Sequence, residues 1–253
     1  PKFIAEVLDK HNKTNAYFIN DNELIIYFYD YEITPEVSEE LFLHVNYNEI
    51  KDYLDITYKL DKEYQNEDGR VVQKNKKHIA ITFDDGPSIY TNDLINTLKD
   101  NKASSTFFIL GKNIEYYKDT IRYMNESKME IGYHSYNHKN FKRQKLETIV
   151  EEFNESNEIL KSITGDIFHL IRPPYGSINE KIKDTLDASF ILWNVDTEDW
   201  RHKNTDYLKE YVLQKAQDGN IILFHDIHKS SVDAIEKLLP YLYVEGYQVV
   251  TVS

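Results

Sequence analysis

Cysteine is missing from all 253 residues of the chain. That excludes disulfides, thiolate metal sites and cysteine nucleophiles together, while leaving the redox compartment open. A basic block is missing as well: 43 acidic residues against 30 basic ones give a formal charge of −13 and a pI near 5.2. Gripping a phosphate backbone takes clustered Lys and Arg, so no nucleic-acid partner is expected. No apolar run approaches the roughly 20 residues that span a bilayer, and no segment is laid out like a signal peptide. A Gly-rich phosphate loop is also absent, which counts against nucleotide-binding α/β folds. The chain starts at Pro1 and not at Met. An excised or processed piece is therefore expected, with membrane contact made only through an anchor outside it.

Hydrophobic residues at 41% suffice to bury a core, and charged residues at 29% give an ordinary soluble surface. The length suits one large domain with a small companion. Up to about residue 75 the chain is irregular and rich in Tyr, Asn and Asp. Aromatic-rich runs at 16–20 and 24–29 flank Asp21-Asn22-Glu23 and predict a hairpin, in which Tyr27 and Tyr29 suit strand packing. Residues 41–47 read as a further strand, followed by a short helical patch around Ile50 and Leu54. Residues 61–77 are polar, hold Gly69 and read as a linker or exposed loop. A small N-terminal α+β domain over residues 1–75 is the expectation.

From residue 76 the chain becomes rhythmic. Short β-branched or aromatic runs at 79–83, 106–110, 130–133, 169–172, 190–195, 221–224 and 248–252 alternate with helical spacings. Examples are Leu94, Ile95 and Leu98, and the longer series Val232, Ile235, Leu238, Leu239 and Leu242. Strands alternating with helices predict βα units around a parallel sheet, in an open doubly wound fold or a barrel. Five of the seven strands end in titratable residues. These ends are Asp84-Asp85-Gly86-Pro87, His134-Ser135-Tyr136-Asn137-His138, Arg172-Pro173-Pro174-Tyr175-Gly176, Asp196-Thr197-Glu198-Asp199-Trp200 and His225-Asp226. In parallel α/β folds, loops converge on ligands at that edge.

Each cluster also has a plainer reading. Asp84-Asp85-Gly86-Pro87 alone reads equally as a turn that ends a strand and caps the next helix. Adjacent carboxylates also point different ways, so one can bind a cation while the other moves a proton. His134 and His138, four residues apart, are a weak metal signal by themselves. Two imidazoles and a carboxylate with one position open nevertheless make a common catalytic zinc site, and the two signals together favour a metal. Arg172 sits in a turn made rigid by Pro173, Pro174 and Gly176, and its guanidinium needs an anion; Asp84 and Asp85 are both candidates. Asp199 and His225 offer a second pair. A carboxylate holding an imidazole raises its pKa and suits a general acid; the alternative is a helix cap beside a core histidine. His228 receives no assignment.

In order, Thr82-Phe83-Asp84-Asp85-Gly86-Pro87, the His134 to His138 and Arg172 to Gly176 clusters, Asp196-Thr197-Glu198-Asp199-Trp200 and Leu223-Phe224-His225-Asp226 resemble five motifs. They are those of the NodB-homology polysaccharide deacetylases, carbohydrate esterase family 4. The likeness covers residues 76–253. Residues 1–75 are loosely similar to the small domain preceding the catalytic domain in some Gram-positive peptidoglycan deacetylases. The resemblance implies a distorted (β/α)7 barrel. It implies that Asp85, His134 and His138 hold a divalent metal, usually zinc, sometimes cobalt or another transition ion. Asp84 would be the general base, tethered by Arg172, and His225 the general acid, oriented by Asp199. Trp200 and Leu223 would line the acetyl pocket, the Tyr175 backbone N–H would bind the oxyanion, and Ser135 would support the loop between the histidines.

The implied activity is metal-dependent removal of N-acetyl groups from N-acetylglucosamine in peptidoglycan. It would be carried out by a monomer at the outer surface of a Gram-positive bacterium and would confer lysozyme resistance. The intact aspartate pair favours this over the muramic-acid branch, where the second Asp tends to be replaced. Chitin oligomers, poly-N-acetylglucosamine and acetylated xylan stay open as substrates. A wall-binding module without catalysis predicts damaged motifs, and none is damaged. A magnesium phosphoryl-transfer site leaves His134 and His138 unexplained, since magnesium prefers oxygen.

Overall fold

The structure is a computed structural model. It describes residues 77–253 and, before them, the strands β1 (Asn15–Asn20), β2 (Glu23–Phe28), β3 (Leu41–Asn46), β4 (Glu63–Gln65) and β5 (Val71–Gln73). The chain divides into two units, Pro1–Asp61 and Lys62–Ser253. In the first, β1, β2 and β3 form an antiparallel sheet with Phe18 opposite Leu24 and Ile26 opposite Leu43. The expected hairpin and third strand are therefore present; the helical patch around Ile50 and Leu54 lies outside the described residues. The polar stretch at 61–77 is not only a loop, because β4 and β5 pair antiparallel within it, Tyr64 opposite Val72. Three β-prone residues, Tyr64, Val71 and Val72, accompany that pairing although the surrounding charges hide any period.

In the second unit β6 (Lys77–Asp84) is the central strand. Its last six residues are buried, as befits a parallel strand covered on both faces. Ile79, Ile81 and Phe83 join the main core, so the alternate residues Ala80, Thr82 and Asp84 face the barrel interior. Parallel to it run β7 (Thr106–Ile109), β8 (Glu130–Tyr133), β9 (Leu170–Ile171) and β10 (Ser189–Phe190) on one side. On the other run β12 (Asn220–His225) and β11 (Val195–Asp196), while β13 (Tyr247–Val250) pairs with the start of β6.

Helices α1 (Thr91–Asp100), α2 (Lys118–Glu126), α3 (Leu146–Thr164), α4 (Glu180–Lys183), α5 (Thr205–Lys215) and α6 (Lys229–Val244) follow the strands. The apolar series anticipated in α1 and α6 are buried at the helical period. The result is a distorted (β/α)7 barrel. No described helix is long and apolar enough to cross a membrane.

One expected strand, 190–195, is split. Its first residue belongs to β10, paired with β9, and its last to β11, paired with β12, at opposite ends of the sheet. Residues 191–194 cross the seam between them. Ile191 N–H still donates to Ile171 O, but Asn194 has switched partners: its N–H donates to Ile221 O and its side chain accepts from Ile221 N–H.

Candidate active site and metal centre

Backbone strain is concentrated at the C-terminal strand ends. Of the seven non-glycine residues with positive φ among those described, five are Asp85, Ser135, His138, Tyr175 and Glu198, all in the motif loops. Such conformations cost on the order of 1–3 kcal/mol each and persist only where neighbours hold them.

Asp85, His134 and His138 come together as a candidate metal-binding group, their ligand atoms all within 4.8 Å of one another. Asp85 Oδ1 lies 3.7 Å from His134 Nε2 and 3.5 Å from His138 Nε2, and it is buried without a hydrogen-bond partner. His134 Nδ1 donates to Arg172 O at 2.7 Å, which leaves the Nε2 lone pair facing Asp85. Burial pushes His134 down to about 3 against the pull of Asp85, so the ring is neutral at ordinary pH. A lone pair turned towards an orphaned carboxylate oxygen is repulsive until a cation lies between them. The two imidazoles and the carboxylate are the donor set that borderline divalent ions prefer. The residues fit a metal. Ser135 Oγ accepts the His138 N–H at 2.9 Å and fixes the turn between the histidines.

Of the two aspartates open to Arg172, Asp84 takes it: Nη1 donates to Asp84 Oδ1 at 2.9 Å, with both side chains buried. The remaining guanidinium bonds go to Thr82 Oγ1 (2.6 Å), Leu192 O (3.1 Å) and Ile191 O (3.4 Å), and the guanidinium carbon lies 4.1 Å from the centre of the Phe108 ring. Arg172 thus ties the seam carbonyls to the carboxylate. Asp84 Oδ2 faces His134 Nε2 at 3.6 Å, beyond hydrogen-bonding reach. Burial pushes the Asp84 carboxyl above its ordinary range, while Arg172 and then His225 pull it back.

The second pair also forms. His225 Nδ1 lies 2.6 Å from Asp199 Oδ1, and Asp199 Oδ2 accepts from the His225 N–H (2.7 Å) and Ser231 Oγ (2.6 Å). Burial disfavours charge on His225, but the hydrogen bond and charge of Asp199, with Asp84 and Asp85, outweigh it and raise the ring to about 9. His225 Nε2 lies 4.0 Å from Asp85 Oδ2, so the imidazole faces the metal cluster.

The polysaccharide deacetylase family model matches residues 71–189. The peptidoglycan-N-acetylmuramic acid deacetylase PdaC of Bacillus subtilis is 32% identical over 260 residues, 96% of this chain and 56% of that protein. The peptidoglycan-N-acetylglucosamine deacetylase PgdA of Listeria monocytogenes is 32% identical over 204 residues, 79% of this chain and 44% of that protein. The solved structure of Bacillus subtilis PdaC has a TM-score of 0.70 at 38% identity, covering 72% of this chain and 90% of that one. The chain belongs to the polysaccharide deacetylase family. It spans about half the length of the curated relatives it matches. A family 4 acetyl xylan esterase from Clostridium thermocellum, solved in complex with a cobalt ion, has a TM-score of 0.65 at 26% identity, covering 69% of this chain and 88% of that one.

Other motif residues of this family member sit around the pairs. Leu223 is on the His225 face of β12, whereas Ile222 and Phe224 belong to the main core. Tyr175 is exposed, with its ring edge-on to His138 at 4.8 Å. Trp200, directly after Asp199, is 55% exposed. His228 precedes α6, its ring 6.2 Å from that of His225. Two supporting residues escaped sequence reasoning. Thr82 accepts from Arg172 and donates to Ile222 O at 2.7 Å; strand alternation, which puts it on the Asp84 face, was an available signal. Ser231 reaches Asp199 across 32 residues, and no linear pattern pointed to it.

Proposed function

We propose that the chain is a metal-dependent hydrolase that removes the N-acetyl group from N-acetylglucosamine residues of bacterial peptidoglycan. The single observation that carries this reading is the convergence of two differently tuned groups on one cluster. Asp84 Oδ2, from β6, and His225 Nε2, from β12, both face the Asp85–His134–His138 group. Catalysis is placed in residues 76–253, and residues 1–75 are a small α+β domain with the linker that follows it, the two compact units parting at Asp61. The protein acts as a monomer at the outer surface of a Gram-positive bacterium. The amines it creates add positive charge to the wall and protect it from lysozyme.

A divalent cation, zinc or alternatively cobalt, held by Asp85, His134 and His138 supplies Lewis acidity, lowering the pKa of water and polarising the amide carbonyl. Asp84 takes the proton of the attacking water, and its burial makes it a stronger base than an ordinary carboxylate. Arg172 keeps that base ionised and in place. The Tyr175 backbone N–H donates to the oxyanion as it forms. Leu223 and Trp200 wall the acetyl methyl. His225, with Nδ1 tied to Asp199, gives its Nε2 proton to the departing nitrogen, which would otherwise leave as an amine anion. The C–N bond breaks; acetate keeps the water oxygen and the sugar keeps a free amine.

A second reading places the acetyl group on N-acetylmuramic acid. It is favoured by the match over 96% of this chain to a relative named for that sugar, and opposed by the intact Asp84-Asp85 pair. One experiment separates them. Acetate release is measured on intact peptidoglycan, chitin oligomers and acetylated xylan, and the digested wall is analysed by mass spectrometry. Release from peptidoglycan, with the mass loss on glucosamine, is expected, and Asp85→Ala should lose both bound zinc and turnover. Normal turnover by Asp85→Ala removes the metal assignment; mass loss on muramic acid moves the substrate to the second reading.

A further inference from the structure

The two loops that carry the candidate ligands are joined by a short connection, residues 110–113, between β7 and α2. On one side Leu110 N–H donates to Gly86 O at 3.0 Å, while Asn113 Nδ2 donates to Gly86 O at 3.1 Å and to Asp85 O at 3.3 Å. On the other, Gly111 N–H donates to Ser135 O and Lys112 N–H to Tyr136 O, each at 3.0 Å. Four consecutive residues therefore bridge the Asp85 turn and the histidine loop. Asn113 contributes its side chain to that bridge, and its own backbone is pinned, N–H to Leu110 O and carbonyl to Tyr117 N–H, both at 3.0 Å. The carboxamide has little slack.

Asp85 needs such a tie. Its φ of 73° lies in the left-handed region, which a residue with a Cβ leaves unless held, and that conformation carries Oδ1 towards both histidines. The Cα of Gly86 meets a wall. A Cβ built on Gly86 would fall 2.3 Å from both carboxylate oxygens of Asp226. Asp226 is fully buried, with Thr91 Oγ1 donating to its carboxylate at 2.5 Å and Ser88 Oγ to its carbonyl at 2.7 Å. The turn rests against Asp226 and its carbonyls are held by Asn113.

We propose that Asn113 is a positioning residue of the metal centre, whose carboxamide holds the Asp85–Gly86 turn in the conformation that presents Asp85 Oδ1 to the ion. It reaches the site through two backbone carbonyls. The inference rests on reading Asp85, His134 and His138 as a metal site. Orienting partners of this kind are worth roughly 10–100-fold in metal affinity.

The test compares Asn113→Leu, which keeps the volume without a donor, with Asn113→Ala, which loses both. Zinc affinity is measured by competition with a chromophoric chelator on the full chain, beside the thermal midpoint of the metal-free protein. Both variants should bind zinc roughly 10–100-fold more weakly than the parent while the metal-free midpoint moves little. Affinity within about twofold of the parent in both, or a loss confined to Asn113→Ala, makes Asn113 a space filler and overturns the proposal. Asn113 is only partly buried, so Asn113→Ala adds no atoms to a tight place; it decides the matter if the leucine is not accommodated. A parent protein that binds no zinc overturns the metal reading and this inference with it. A parent that binds zinc, with variants that bind it equally, overturns this inference alone.

Discussion

Asp84, the last residue of β6, and Asp199, in the loop after β11 on the far side of β12, are both buried, and each is paired with a cationic group, yet their oxygens are used differently. Asp199 is saturated: Oδ1 accepts from the His225 ring, and Oδ2 from the His225 N–H and Ser231 Oγ. Asp84 gives Oδ1 to Arg172 and leaves Oδ2 facing the cluster, 3.6 Å from His134 Nε2. A carboxylate with every oxygen occupied can orient a neighbour and hold its charge. One with a free oxygen can accept a proton. Sequence alone makes both of them an aspartate at a strand end; the number of donors around each separates an orienting role from a basic one.

Asp84→Asn breaks the comparison at its reactive corner. The amide keeps the shape and a hydrogen-bonding oxygen but has no basicity. Turnover should fall by roughly 10²–10⁴-fold, the usual contribution of a positioned base. Bound zinc, measured by atomic absorption, should stay near the parent level. Loss of the metal instead would make Asp84 a ligand and not a base.

Asp199→Asn breaks the other corner, and its effect is read in the pH profile. The signs follow from the two shifts. His225 is raised to about 9, so its conjugate acid persists at neutral pH and activity is lost as pH rises through that limb. A cation bound beside Asp85 opposes this rise and draws the limb below that value. Asp84 is raised by burial, and a bound cation draws it back as Arg172 does, so the base is lost as pH falls through the acid limb. His134, pushed down to about 3, does not set that limb. kcat/KM should therefore be bell-shaped. Asp199→Asn removes the chief upward pull on His225, moving the alkaline limb down towards the ordinary histidine value and leaving the acid limb in place. An unmoved alkaline limb would detach it from His225.

These two corners also mark how far the sequence is legible. The strand runs ending at Asp84 and His225 were readable, because parallel strands buried on both faces are largely apolar runs with a sharp polar end. Helices α1 and α6 were readable from their apolar period. What was not readable arises from contacts distant in sequence. The run at 190–195 looks like one strand, and only the barrel seam shows that its ends pair with β9 and β12. That broken strand supplies the Ile191 and Leu192 carbonyls that Arg172 holds; the residue pattern alone left Asp84 and Asp85 both open as its anion, and only the family resemblance pointed to Asp84. Asn113 and Ser231 act at loops fixed by tertiary packing, and neither lies in a motif.

Ser231 gives the smallest and most discriminating test. Its hydroxyl is one of three donors to Asp199, and it comes from the first turn of α6, on a residue fully buried. Ser231→Ala leaves the His225 ring and N–H in contact with Asp199, so the dyad survives with one carboxylate oxygen less constrained. A net hydrogen bond is worth about 1 kcal/mol, which corresponds to roughly fivefold in rate. kcat should fall by about that factor with KM and bound zinc unchanged, and Ser231→Thr, which keeps the hydroxyl, should recover most of it. If kcat stays at the parent value while the thermal midpoint drops, Ser231 serves the packing of α6 alone. Asp199 would then be held sufficiently by His225, and two donors would be enough to make a carboxylate an orienting group.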